Sequence, residues 1–328
     1  VRSFPRLPRW APLVGLLLVA TLLACGGGGG GSPSPAGGDP TSPDFWRVAR
    51  LGGEISPLLV NSSLAVGSNR VQFGLLDREQ APILGARVNV QFFYLGGGQP
   101  QPKGERETRF VSMQLSFVDE STGRLVELSP NGVYVTEFSF DAAGPWGAAI
   151  SGTLSNGDPF GPLPYRFDVR ERTLEPMVGD PAPPSDNLTL QDVSDIRELT
   201  TDLQPIPDLY RYTVAEALQT GRPLVIVFAT PAFCESRVCG PVMEAIVHPL
   251  YQRYREQAIF IHIEPYQLKE LREGVARIPV QAVKDWNLPS EPWIFVVNRN
   301  GRVAAKFEGI VSLEEVEAAL KAVLGGQG

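Results

Sequence analysis

The two side chains that most often carry chemistry are scarce in this chain, with three cysteines and two histidines in 328 residues. Between Asp44 and Arg172 there is neither, so that stretch holds no common soft-metal or nucleophilic constellation. An excess of positive charge is missing too. The formal net charge of −7 argues against nucleic acid as a partner. Long apolar runs are few, and the one from Trp10 to Ala24 is short for a membrane span and is followed by a glycine tract hostile to helix. Arg2, Arg6 and Arg9 precede it, which is the layout of a signal peptide. What is present is a hydrophobic fraction of 43%, enough for real cores, in a chain long for one domain.

Leu22-Leu23-Ala24-Cys25 looks like a bacterial lipobox. That resemblance implies a lipoprotein signal peptide over residues 1–24 and acylation of Cys25. It also implies anchoring by lipid at the extracytoplasmic face of the cell membrane. A plain secretory signal with an incidental cysteine is the alternative. Removal of the basic start leaves the remainder more acidic, which disfavours a second, electrostatic hold on anionic lipid. Residues 25–43, rich in Gly, Ser and Pro, read as a flexible tether.

From 44 to 172 short alternating apolar runs lie between turn signals. Expected strands are Arg70–Leu76, Arg87–Tyr94, Arg109–Phe117, Gly132–Phe140, Trp146–Gly152 and Pro164–Val169, with another near Pro57–Asn61. This spacing predicts an antiparallel β-sandwich serving as a binding or spacing module. Pro130–Tyr134 and Ala143-Gly144-Pro145-Trp146 loosely resemble the last hairpin of immunoglobulin-like bacterial extracytoplasmic domains. Asp77, Glu79, Asp119 and Glu120 fall near turns and read as solvated loop residues rather than a calcium site. Residues 173–190 form a Pro-rich linker or lead-in.

The last segment, 191–328, is organised around Leu224–Pro241, LVIVFATPAFCESRVCGP. A short apolar strand delivers Cys234 and Cys239 to the start of a helix, where free N–H groups and the helix dipole favour thiolate. Helices are expected at Thr213–Thr220, Pro241–Tyr254 with a kink at Pro249, Leu268–Ala276 and Leu313–Leu324. Strands are expected at Ala258–Ile263, Trp293–Val297 and Arg302–Phe307. On an ideal helix, residues five apart have Cα atoms roughly 8–9 Å apart, beyond the roughly 7 Å a disulfide spans. Either Cys234 lies in the loop ahead of the helix, or the first turn unwinds when the bond forms.

This segment resembles the thioredoxin-like superfamily. The resemblance rests on the strand–Cys–helix unit with Cys239-Gly240-Pro241, on Pro292 opening the strand Trp293–Val297, and on the Asn298–Gly301 turn before a terminal helix. Val178–Pro183 is similar to the opening of redoxin-type domains. The spacing departs from the family: Cys-x-x-x-x-Cys stands where Cys-x-x-Cys is usual. The resemblance implies an α/β thioredoxin-like fold, with an exposed Cys234 attacking and Cys239 resolving, and no cofactor or metal. It further implies a cis-proline at Pro292, where Glu291 and Pro292 meet an extended substrate. Arg237 between the cysteines either favours thiolate or is solvated, and Glu235 acts the other way. The family's buried acid in the strand before the cysteines is missing from Leu224–Phe228. Trp286 and Trp293 read as core.

The expected function is a membrane-tethered thiol–disulfide oxidoreductase acting on protein or small-molecule disulfides or dithiols outside the cytoplasm. Three rivals stay open. Peroxiredoxin chemistry fits poorly, because Thr230 stands four residues before Cys234 where that family's motif has three. Copper delivery would need His262, since His248 lies nine residues beyond Cys239, about half a turn away from it on the same helix. A binding protein with a structural Cys234–Cys239 bond is the third.

Overall fold

The computed structural model describes residues 38–47 and 53–326. The signal peptide, Cys25 and most of the tether lie outside the described residues. The chain from Gly37 to Gly328 clusters as one unit. Pro43–Trp46 forms a 3-10 turn that buries Phe45 and Trp46 against Phe93 and Ala149.

The first half folds into β1 (Ser56–Leu59), β2 (Gly67–Leu76), β3 (Arg87–Tyr94), β4 (Gln101–Glu107), β5 (Arg109–Met113), β6 (Ser116–Asp119), β7 (Arg124–Glu127), β8 (Asn131–Phe140), β9 (Gly144–Thr153) and β10 (Pro159–Val169). Two four-stranded sheets, ordered β1-β2-β8-β5 and β10-β9-β3-β4, are antiparallel throughout. Between them lies one core that takes Phe73 and Val71 from β2, Tyr134, Phe138 and Phe140 from β8, Val90 and Phe92 from β3, and Trp146 and Ile150 from β9. This is the expected β-sandwich, built by period-two alternation.

Two differences from the sequence reading have physical causes. β4 is so polar, QPKGERE, that it gives no apolar signal, and it sits at a sheet edge where that composition is tolerated. The single strand expected over Arg109–Phe117 breaks at Gln114-Leu115. β5 stays in the sandwich, whereas β6 leaves it and pairs only with β7.

The second half contains α1 (Val214–Gln219), β11 (Leu224–Phe228), α2 (Cys239–Val242), α3 (His248–Tyr254), β12 (Ile259–Ile263), α4 (Leu268–Arg272), α5 (Gln281–Asp285), β13 (Trp293–Val297), β14 (Val303–Glu308) and α6 (Leu313–Leu324). Its sheet runs β12-β11-β13-β14, with β11 parallel to β12 and the other pairs antiparallel. Along β11, Val225 and Val227 face a core shared with α2, α3 and α6, while Leu224, Ile226 and Phe228 face one built with α1 and α5. Covering on both faces explains why the strand reads as an unbroken apolar run. Trp286 and Trp293 are buried in the second of these cores. A π turn, Met243–Val247, joins α2 to α3. Pro249 follows it and has no N–H to donate back, so the helix is irregular where a kink was expected.

The two halves are bonded along the outer face of the β1-β2-β8-β5 sheet. Val111, Met113, Val133 and Val135 share a core with Val242, Ile246, Ile310 and Val311. Arg70 donates to Glu315 from Nε at 2.6 Å and to the Ile310 carbonyl at 3.0 Å, and Arg109 also donates to Glu315. Burial works to raise the Glu315 carboxyl, but the two arginines overcome this and hold it down at about 2. The Pro-rich stretch is a docked lead-in: the N–H groups of Gly179 and Ala182 donate to the carbonyls of Val303 and Gly301 at 2.7 and 2.9 Å. No helix among the described residues is long and apolar enough to cross a membrane.

Candidate functional site

β11 ends at Phe228, and Ala229-Thr230-Pro231 turns the chain away from the sheet. The N–H groups of Phe233 and Cys234 donate to the Thr230 carbonyl at 3.2 and 2.9 Å, and Arg237 N–H donates to the Cys234 carbonyl at 3.3 Å. Arg237 takes a left-handed conformation, φ +60°, which swings the chain round before α2 opens at Cys239. Cys234 therefore lies in the loop ahead of the helix. The two Cα atoms come to 5.9 Å and a disulfide joins the cysteines. This is the loop alternative posed by the spacing. The Cys239 N–H points at Cys234 Sγ at 3.4 Å, and Ser236 Oγ lies 3.2 Å from the same sulfur.

The expectation of an exposed Cys234 is corrected. Cys234 is 1% exposed and Cys239 0%. Part of the cover comes from the sandwich half: the β6–β7 hairpin lies across the loop. Ser116 N–H donates to the Arg237 carbonyl at 3.4 Å and Val118 N–H to the Pro231 carbonyl at 3.3 Å. Phe117 sits under the Arg237 guanidinium, 4.3 Å from ring centroid to Cζ. Glu120, expected to be a solvated loop acid, instead takes hydrogen bonds from Nε and Nη2 of Arg272 at 2.6–3.0 Å. Asp119 caps its own turn through Ser121.

Pro292 stands at the same end of the sheet. Its bond to Glu291 is cis, and Trp293 pairs with Phe228, so the proline lies level with the point where β11 gives way to the cysteine loop. Glu291 is engaged rather than free. Its Oε2 accepts from Tyr266 Oη at 2.5 Å, and Oε1 lies 3.6 Å from Arg277. Burial raises the Glu291 carboxyl against the pull of Tyr266 and Arg277. Arg277 also donates to the Phe233 carbonyl at 2.8 Å, tying the cysteine loop to the segment that carries the cis-proline.

Leu224–Phe228 carries no acid, but a buried one stands at the end of the neighbouring strand. Glu264 follows β12 and is 5% exposed. Its Oε1 accepts from Thr201 N and Oγ1 at 2.6 and 2.7 Å, and Thr201 Oγ1 accepts from the Ala232 N–H of the cysteine loop at 3.0 Å. Oε2 has no partner. Burial pushes the carboxyl up to about 7, with the two Thr201 donors pulling the other way. A cavity of about 850 Å³ reaches Glu264, His262 and Tyr210 from the side of α4. The one sequence signal for Glu264 is an acid placed directly after the apolar run IFIHI; nothing local marks Phe117, Glu120 or Arg272.

The histidines are committed elsewhere. His262 has Tyr210 Oη at 2.7 Å from Nδ1 and the Ala229 carbonyl at 3.0 Å from Nε2, and burial lowers it to about 4, so it is neutral. His248 Nε2 pairs with Asp202 at 2.7 Å. Among the described residues no three His, Cys, Asp or Glu side chains are grouped to hold a metal ion. No family model matches the chain, and no match is found among curated proteins.

Proposed function

We propose that the second half is a thioredoxin-like domain and that the protein is a thiol–disulfide oxidoreductase. In the same reading the sandwich is an immunoglobulin-like support, and a lipid on Cys25 holds the protein at the extracytoplasmic face of the membrane. The observation that carries the proposal is the Cys234–Cys239 bond at the junction of a buried strand and a helix, level with the start of the strand that Pro292 precedes. Loop, cis-proline segment and buried acid converge on one end of the sheet, which is where open α/β sheets place chemistry.

The reaction needs a dithiol or disulfide partner and no cofactor. A partner thiolate attacks Cys234 Sγ, the Cys234–Cys239 bond breaks, and its electron pair leaves on Cys239, which takes up a proton. The partner's second thiol then loses its proton and attacks its own sulfur in the mixed disulfide, and Cys234 leaves with the electron pair and takes up a proton. Two electrons and two protons pass from the partner to the cysteine pair; run in reverse, the pair reduces the partner. Glu264, whose carboxyl burial raises to about 7, is linked through Thr201 to the backbone of the loop that carries Cys234, so its ionisation state bears on that loop.

The burial of both sulfurs favours a second reading, a structural disulfide in a binding protein. Titration in defined glutathione buffers separates the two. A midpoint between about −120 and −270 mV, with a mixed disulfide trapped on Cys234 in Cys239→Ser, is the expected result. A midpoint below about −300 mV with no trapped partner would leave only the structural reading.

A further inference from the structure

The connection from β5 to β8 does not need the hairpin. These strands are antiparallel neighbours with Met113 opposite Asn131, so a short turn would join them. Residues 114–130 instead travel out to the cysteine loop and back. The β6–β7 pair belongs to neither sandwich sheet, and a lone two-stranded hairpin is marginally stable in water. Its polar hold on the second half is two long backbone hydrogen bonds, the Phe117–Arg237 stack and the Glu120–Arg272 pair, beside which Leu115 packs against the shared core and Ser116 and Val118 are buried.

The form of that hold is informative. β6 is an extended segment whose alternate N–H groups, at Ser116 and Val118, donate to the Arg237 and Pro231 carbonyls, which flank Cys234 in the chain. The loop is a turn and not a sheet edge, yet it takes hold of an extended segment by its main chain, and the residue between the two bonds is left to supply selectivity. The intervening Phe117 meets the Arg237 guanidinium. Ser116 is small where it faces Gly240, whose Cβ position lies 3.4 Å from Ser116 Oγ.

We propose that β6 occupies the seat of an extended partner polypeptide, and that redox partners reach the cysteines by displacing the hairpin. The proposal rests on the oxidoreductase reading and names its substrate class. The partner presents an extended chain in the pattern small–aromatic–aliphatic, as Ser116-Phe117-Val118 does. The rest of the contact between the halves stays closed, so the opening is a local one.

The test uses the oxidised full-length protein and follows reduction of Cys234–Cys239 by excess dithiothreitol, read as labelled thiol. Phe117→Ala with Glu120→Gln should raise the rate about tenfold, and Phe117→Tyr with Glu120 intact should keep the parent rate. A peptide copying residues 114–128, added to the double variant, should slow reduction back toward the parent rate. An unchanged rate in the double variant overturns the proposal, provided near-ultraviolet circular dichroism shows the parent fold. A raised rate that the peptide does not reverse overturns the strand-shaped seat. Because dithiothreitol needs no turnover, these outcomes are separate from the trapping experiment, whose failure would remove the enzymatic reading alone.

Discussion

Two contacts join the same two halves of this molecule, and they are built differently. Along the outer face of the sandwich the halves share an apolar core, and one carboxylate, Glu315, receives two arginines at a largely buried site. Over the cysteines the contact is a hairpin belonging to no larger sheet, held by one partly exposed ion pair, one stacked ring, two long hydrogen bonds and the packing of two aliphatic side chains, Leu115 and Val118. The first contact is suited to permanence and the second to release.

Mutations can break or sharpen this contrast. The largest effect is expected in the shared core, where Ile246→Ala should lower unfolding stability by about 2–5 kcal/mol in a urea titration. Equal loss of stability from a hairpin substitution would erase the distinction. Next comes Glu315→Gln, which leaves Arg70 and Arg109 underpaired and should lower stability by about 2–3 kcal/mol. The pH signature has a definite sign. The Glu315 carboxyl is depressed to about 2 from an ordinary 4.5, so its contribution is full above pH 4.5 and is lost as pH falls through about 2. The variant should lack that part of the acid slope.

Glu264 works in the opposite direction. Its carboxyl is raised from 4.5 to about 7, so the stability it contributes is full below pH 4.5 and is lost as pH rises through 7. Glu264→Gln should flatten the profile in that window and be more stable than the parent above pH 7 by roughly 1–3 kcal/mol. The same variant should lose any inflection near pH 7 in the rate of disulfide exchange. The smallest thermodynamic effect belongs to Glu120→Gln, under about 1 kcal/mol for a partly exposed ion pair. It should nevertheless speed reduction of the disulfide several-fold while leaving the urea midpoint almost unmoved.

Much of the architecture could be read from residue patterns, and the places where reading stopped are instructive. Alternation located the sandwich strands, and the unbroken apolar run Leu224–Phe228 located the central strand of the second half, because burial on one face or two leaves a period in the sequence. Helix geometry alone was enough to require Cys234 to lie in a loop or the helix to unwind. The break between β5 and β6 was not readable, since Phe110 to Val118 keeps alternating while its partner changes from β8 to β7. Cover over the sulfurs was invisible for a related reason: part of it is made by residues more than a hundred positions away, and solvent exposure depends on what packs there. Glu264 is far in sequence from the cysteine strand and is brought to it only because the parallel neighbour β12 ends beside the same turn.

Arg237 joins two demands that could have been met by separate residues. Its left-handed backbone lets five positions of chain bring two cysteines within bonding reach, and its side chain grips the ring of the covering strand. Glycine would suit the bend better and could not hold the ring; a bulky β-branched residue could do neither. Substitution at this one position therefore alters the spacing of the sulfurs and the tightness of their lid together, and selection on either property constrains the other.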